Sequence, residues 1–398
     1  MAKRVSRQAA STLRRRKGRG ESGRTVADLC SAMEEIAPTW TAAEWDNVGL
    51  LAGSPDWPLR RVLLAIDLMP EVLEEAIAER FDAIVAYHPP IFKATKRLRV
   101  GRTSPEEVAS TALANRIAIY SPHTALDATT GGTNDTIAEM AGIENPMPFD
   151  AARDPTPRCK LVVFVPAESV ESVAAAVFEA GGGRIGDYSQ CSFRIAGEGT
   201  FFGADAANPV VGQRGRLERV SEIRLEIVFP QRRLKEVVFA IRRSHPYEEP
   251  AFDVYPLAAT PVGAMGQGRM GLFVRPLPAG ALAKGLARGV GAAAVELIGP
   301  ASQVVRRGFV CVGAAGSLPF EISGVALAPG DVVMTGEIRH HDALRYLGAG
   351  ATAIALGHWA SERPVLQPLS ARLRRMLKGV VIGVSRRDRN PFMFQSAK

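Results

Sequence analysis

The stretch RVLLAIDLMPEVLEEAIAERFDAIVAYHPPIF, residues 61–92, decides the fold. It opens on an apolar run, RVLLAIDL, short enough for a buried strand, and DAIVAY at 82–87 is a second such run. Between them MPEVLEEAIAER reads as a helix, with Pro70 in the first turn, where a missing N–H is no loss. Strand, helix and strand in so short a span imply a parallel pair joined by a helical crossover. His88 stands directly beyond the second strand, and Pro89 and Pro90 stiffen the chain as it leaves the sheet.

Working outward, the same grammar extends in both directions. TVADLCSAMEEIA (25–37) reads as an amphipathic helix with Thr25 as its cap. SPEEVASTALANR (104–116) is a further helix and IAIYS (117–121) a further strand. Pro146, Pro148, Asp154, Pro155 and Pro157 then mark a boundary. Beyond it KLVVFVPAESVESVAAAVFEAGG reads strand, proline, helix, glycine turn, and IRLEIVFPQRRLKEVVFAIRRSHP repeats that plan. CSFRIAG and GTFFGA read as paired strands around a turn at Glu198–Gly199, and AFDVYPL closes the unit. The sum is β-α-β-β-α-β, a ferredoxin-like α+β sandwich that looks inserted. From about Ala264 the α/β grammar resumes and runs to GVVIGVS at 379–385. The expected organisation is a basic disordered tail (1–24), an N-terminal α/β half (25–153), the inserted domain (154–262) and a C-terminal α/β half (263–398).

Hydrophobic content of 46% and charged content of 23% suit a soluble globular chain, and no apolar run is long enough for a membrane helix. The basic start has no apolar core, which argues against a secretory signal. The net charge of +8 is deceptive, because residues 1–24 hold nine Lys or Arg against Glu21 and account for all of it. The body is neutral, so a broad nucleic-acid-binding face is not expected. A solvated tail explains the basic run most simply; contact with nucleic acid or acidic surfaces, or a transit-peptide role, are the alternatives. Cys30, Cys159, Cys191 and Cys311 are far apart and form no C-x-x-C pair, which fits a reducing, cytoplasmic setting.

Nitrogen and oxygen donors recur at strand exits: His88, then His123 and Asp127 in SPHTALDATTGGTND, then His358 and Glu362 in ALGHWASE. Positions i and i+4 share one helix face, so His358 and Glu362 can converge on one divalent ion. Taken singly each has a plainer reading: a packed core histidine for His88, a turn or cap residue for Asp127. Their recurrence favours ligands, with His123 in a supporting role. Adjacent helical residues point about 100° apart, so His340 and His341 rarely share an ion. One of them, His341, with Glu337, is a candidate substrate contact or proton carrier. GAAGS (313–317) could offer backbone N–H groups to a phosphate but lacks a P-loop lysine.

These segments together resemble the NIF-three-like (NGG-interacting factor) family, whose bacterial members are often called GTP cyclohydrolase I type 2 homologs. The resemblance rests on AEWDNVGLLAG, YHPPIF, SPHTALDA with GGTND, TGEIRHHDAL and GHWASE. In the inserted unit it rests on GEGTFFG, NPVVGQ and SHPYEEPAFDVYPL. It implies an NIF-three-like α/β body interrupted by a PII/CutA-like domain, a homohexameric ring and a dinuclear centre. By motif, His88, Asp127 and Glu362 match one metal position, and His358 with bridging Glu362 the other. Where many bacterial relatives read His-His-Pro, this chain reads Tyr87-His88-Pro89, as eukaryotic-type relatives also do. A phenol is a poor ligand near neutral pH, so the second ion is expected to be weaker or completed by solvent or His123. The functional expectation is a metal-dependent hydrolase using up to two Zn, Mn, Fe or Ni ions on a nucleotide-like or phosphorylated small molecule. A metal carrier or partner-binding ring is the alternative.

Overall fold

Alternation along the strands builds two sheets with a core on each face. The computed structural model describes residues 23–153, 155–393 and 395. Most of the expected basic tail, residues 1–22, lies outside the described residues. The chain divides into two units, residues 1–150 with 264–398 and residues 151–263.

In the first unit, one sheet runs in the order Gly49–Ala52, Ala118–Ser121, Ala83–Ala86, Arg61–Ala65, Val381–Val384. All its pairs are parallel except that of Gly49–Ala52. Val62 and Leu64 face a core containing Leu29 and Met33 of the helix Val26–Ile36 and Leu369 and Leu373 of the helix Leu366–Met376. Leu63 and Ala65 face the opposite core, with Val72 of the helix Pro70–Ala78 and Val108 of the helix Pro105–Ala114. The period of two thus puts each of Val62 to Ala65 into one core or the other, which is why the strand reads as an apolar run after Arg61.

The second sheet runs Glu296–Ile298, Thr352–Ala355, Asp331–Thr335, Val304–Cys311, Arg269–Pro278, Ile143–Met147. Three of its four inner strands, Val304–Cys311, Asp331–Thr335 and Thr352–Ala355, are parallel to one another, and the remaining pairings are antiparallel. The two halves therefore trade elements. Ile143–Met147 and the helix Thr133–Ala141 serve the second sheet, and Val381–Val384 completes the first. Arg269 binds this exchange. It is buried, donates to Asp135 Oδ1 at 2.6 Å and to the carbonyls of Gly266 (2.8 Å) and Thr129 (2.8 Å), and so ties the second sheet to the loop after Asp127.

The second unit has a four-stranded antiparallel sheet in the order Phe252–Pro256, Arg158–Pro166, Leu217–Pro230, Phe193–Phe202. Helices Val170–Glu179 and Leu234–Ser244 pack on one face. This order and the β-α-β-β-α-β sequence are ferredoxin-like, as expected. One local expectation fails: CSFRIAG and GTFFGA are a single strand, with no turn at Glu198–Gly199. The long neighbour Leu217–Pro230 pairs with it without a break, from Phe193 opposite Glu226 to Phe202 opposite Leu217. Among the described residues no helix is long and apolar enough to cross a membrane.

Candidate metal centre

The parallel strands of both sheets end at one place, where open α/β sheets bind ligands. From the first sheet, Asp67 follows Arg61–Ala65, Tyr87 and His88 follow Ala83–Ala86, and His123 follows Ala118–Ser121. From the second, Gly313 follows Val304–Cys311, Glu337 follows Asp331–Thr335, and the helix His358–Glu362 follows Thr352–Ala355. That helix begins after Gly357, whose φ of +87° turns the chain sharply into it.

His88, His358 and Glu362 converge, with one donor atom of each lying within 4.8 Å of the others. His88 Nε2 is 3.2 Å from Glu362 Oε2, and His358 Nε2 is 3.3 Å from Glu362 Oε1. Each imidazole thus addresses a different oxygen of one carboxylate. The far nitrogens are held from behind: His88 Nδ1 is 2.9 Å from Asp67 Oδ1, and His358 Nδ1 is 2.9 Å from Glu337 Oε1. His123 repeats the device, with Nδ1 2.8 Å from Asp46 Oδ1. A carboxylate on one ring nitrogen fixes the ring and raises the basicity of the other, the usual support of a metal-binding histidine.

The electrostatics show an excess of negative demand. Burial disfavours charge on His88, but the Asp67 and Glu362 carboxylates overcome it and push its pKa up to about 10. Glu362 likewise raises His358 against the effect of burial. Burial pushes Glu362 up, yet the two histidines hold it below its ordinary value. Glu362 Oε2 is nevertheless buried without a hydrogen bond of acceptable geometry. In this protein a proton on each ring would fill a place that a cation fits as well. The loop supports the same reading. Gly313 has φ +63°, and a Cβ there would stand 2.6 Å from Glu362 Oε1 and 3.5 Å from His358 Nε2. A side chain would occupy the space between the donors. Two imidazole nitrogens and a buried carboxylate are a donor set for a borderline divalent ion, so the residues fit one.

Asp127 lines the same pocket, and its Oδ1 accepts a 2.5 Å hydrogen bond from the buried Tyr87 hydroxyl. Burial raises Asp127 to about 6 against the pull of His123 and Tyr87. Burial and the Asp127 charge push Tyr87 far above its ordinary value, so it stays a donor. Glu337 touches the outer nitrogen of His358 rather than the cavity. His341 lies in the first turn of the helix His340–Gly348, is exposed and packs on His340. The Gly313 N–H, a candidate phosphate donor by sequence, already donates to Ser361 Oγ at 3.0 Å. Sequence reasoning missed Asp46, Asp67 and Asn134. Asp67 left a signal, a carboxylate just past a buried strand, the same position His88 occupies. Asn134 left none: it donates to Asp127 O and accepts from Val312 N, linking loops far apart in the chain.

The pocket holds about 590 Å³. Trp45 and Phe92 stand exposed at its edge with ring centroids 5.9 Å apart, and Trp45 also packs edgewise on His123. Among the described residues no Lys or Arg lines it.

Known proteins share this architecture. The chain is 35% identical over 371 residues to the Bacillus subtilis GTP cyclohydrolase 1 type 2 homolog, covering 92% of this chain and 97% of that protein. It is 36% identical over 351 residues to the Mycobacterium tuberculosis protein of the same name, covering 85% and 88%. The solved Bacillus cereus protein related to NIF3 matches with a TM-score of 0.64 and 30% identity over 94% of this chain and all of that one. A Staphylococcus aureus structure matches in fold, with a TM-score of 0.77 and 24% identity over 94% of this chain and 99% of that one. Residues 24–391 match the Duf34/NIF3 (NGG1p interacting factor 3) family, and the chain belongs to it.

Proposed function

We propose that this protein binds divalent metal through His88 Nε2, His358 Nε2 and the two oxygens of Glu362, and acts as a metal-dependent hydrolase on a ring-bearing small molecule. One observation carries the reading: two histidines, each held through Nδ1 by its own carboxylate, meet separate oxygens of one buried glutamate. Glu362 would hold the metal with the two imidazoles, and Asp127 on the same lining would offer a further carboxylate. When bound, such metal acts as a Lewis acid and lowers the pKa of water. The chain's own residues supply the rest. Asp67 and Glu337 hold the imidazoles, and Tyr87 keeps Asp127 hydrogen-bonded and oriented. Trp45 and Phe92 offer aromatic faces to a planar ring such as a nucleobase. With no cationic side chain on the lining, a phosphate would depend on metal for its counter-charge. The names of the relatives suggest a purine nucleotide, and the aromatic edge suits one. The resemblance also supports assembly as six copies.

Elemental analysis of unchelated full-length protein tests the reading. The expected result is one to two ions per chain, lost in Glu362→Ala. Asp67→Asn and Glu337→Gln should each weaken metal affinity by about 10–100-fold. Hydrolysis of at least one member of a nucleotide and phosphoester panel should follow metal content. No bound metal in the parent protein, or metal retained in Glu362→Ala, overturns the assignment. Metal binding without turnover across the panel favours a carrier.

A further inference from the structure

The second unit carries an open pocket that the candidate metal centre does not use. Its helices cover one face of the sheet, toward which Leu161, Val163, Leu225 and Ile227 point. Residues of the opposite parity point away from them. Phe164 and Glu222 belong to that parity and belong on a solvated face. Glu222 is instead only 9% exposed. The segment around Ala207–Val211 and the turn around Tyr247–Ala251 help close a space of about 440 Å³ over it. Three stretches that carried the resemblance in this unit, 197–203, 208–213 and 245–251, meet there.

The chemistry of the cavity is one-sided. Its walls include Phe164, Phe201 and Val210, its polar side chains are Thr200, Tyr247 and four glutamates, and among the described residues no Lys or Arg lines it. Two of the carboxylates are engaged: Arg219 donates to Glu198 at 2.6 Å, and Asn208 N donates to Glu248 at 3.1 Å. Glu222 has no cationic partner among the described residues. The Tyr247 hydroxyl beside it is buried without a hydrogen bond of acceptable geometry. Burial and the Glu222 charge push that phenol well above its ordinary value, so it remains protonated. The pair is held in place. His245 Nε2 donates to Phe164 O at 2.8 Å, and its Nδ1 accepts from Tyr247 N at 3.1 Å, which fixes a neutral ring behind the tyrosine. On the neighbouring strand, a Cβ on Gly199 would stand 2.2 Å from Glu222 Oε2, so only glycine leaves the carboxylate its place. A buried carboxylate without a counter-charge is unfavourable. A single metal ion is a poor remedy, because among the described residues only the His88 cluster brings three donor atoms within 4.8 Å. A cation with an apolar body fits both the charge and the walls.

We propose that this cavity is a binding site for a small organic amine, its ammonium received by Glu222 and Tyr247 and its body lying against Phe164 and Phe201. Isothermal titration of the full-length protein tests this with 2-phenylethylamine, cadaverine and agmatine as probes, and 2-phenylethanol as the uncharged control. At least one amine should bind saturably at one per chain, and the alcohol at least tenfold more weakly. Glu222→Gln should weaken the amine at least tenfold. Val210→Lys, at a lining residue 62% exposed, sets a fixed ammonium at the cavity and should do the same without disturbing the core. That variant decides the matter if Glu222→Gln fails to fold. Chelation of the metal centre should leave the titration unchanged. Absence of saturable binding by all three amines, equal binding of the alcohol, or full affinity in Val210→Lys overturns the proposal.

Discussion

At the scale of single residues, the centre depends as much on what is missing as on what is present. Gly313 sits in the left-handed region with Glu362 and His358 in front of it. Gly313→Ala puts a methyl between the donors and adds about 1–2 kcal/mol of backbone strain. The expected outcome is a folded protein whose metal affinity, read by chelator competition, falls at least tenfold. Unchanged affinity would show that the ions sit away from this loop. The meeting of His88, His358 and Glu362 was legible in the sequence because His88 and the helix bearing the other two each follow a buried parallel strand, and such strands end where ligands bind. Asp127, expected as a metal ligand, stands on the pocket lining outside the convergent trio, and its bond to Tyr87 was not legible. Nothing in local sequence says that a phenol will turn toward a carboxylate forty positions away. Glu337 was recognised as part of the site with the wrong partner in view. Its carboxylate stands behind His358 on the ring's outer nitrogen, a contact between strand exits that local sequence does not reveal.

At the scale of elements, the exchange between the halves rests on a few buried polar anchors. Arg269→Met takes the guanidinium from Asp135, which keeps only the Gly131 N–H, and from the Thr129 carbonyl, and breaking such a buried pair costs about 3–5 kcal/mol. Chemical denaturation should show that loss, with the midpoint shifted and the slope unchanged. A second anchor joins the helix Pro70–Ala78 to the chain after Val381–Val384. Burial raises Glu75, but Ser385 Oγ and the N–H groups of Arg386 and Arg387 outweigh it and hold it below its ordinary value. Its folded pKa is depressed, so its contribution is complete above about pH 4.5 and disappears as pH falls through the folded value. Glu75→Gln should therefore lower stability near neutrality and flatten the acid limb of a stability–pH curve. An unaltered acid limb would remove Glu75 from that role. Helices and buried strands were readable from periodicity. The antiparallel additions Gly49–Ala52, Ile143–Met147 and Glu296–Ile298 were not, because short edge strands carry little apolar pattern. Their pairing is decided by neighbours distant in sequence.

At the scale of the whole molecule, the inserted unit has its own core, from Leu161 and Val163 through Val173 and Val177 to Leu225, Ile227, Val237 and Ile241. Residues 155–262 expressed alone should fold and melt in one cooperative transition; a chain without such a transition would show that this core does not suffice. Proline spacing and a change of grammar made the insertion legible, while the continuity of Phe193–Phe202 appeared only once its long neighbour was known. The first sheet has a different dependence. Its strand Val381–Val384 lies beside Arg61–Ala65, and Asp388 accepts from the Ile66 N–H and from Trp359 Nε1, bracing the loop that bears Asp67. Synthesis runs from the other end. A nascent chain has made His88 long before it has made Glu362 or the strand that flanks it. The cluster of His88, His358 and Glu362 therefore cannot gather until the far half of the chain has been made, so His88 and Asp67 wait in the nascent chain for partners that come late.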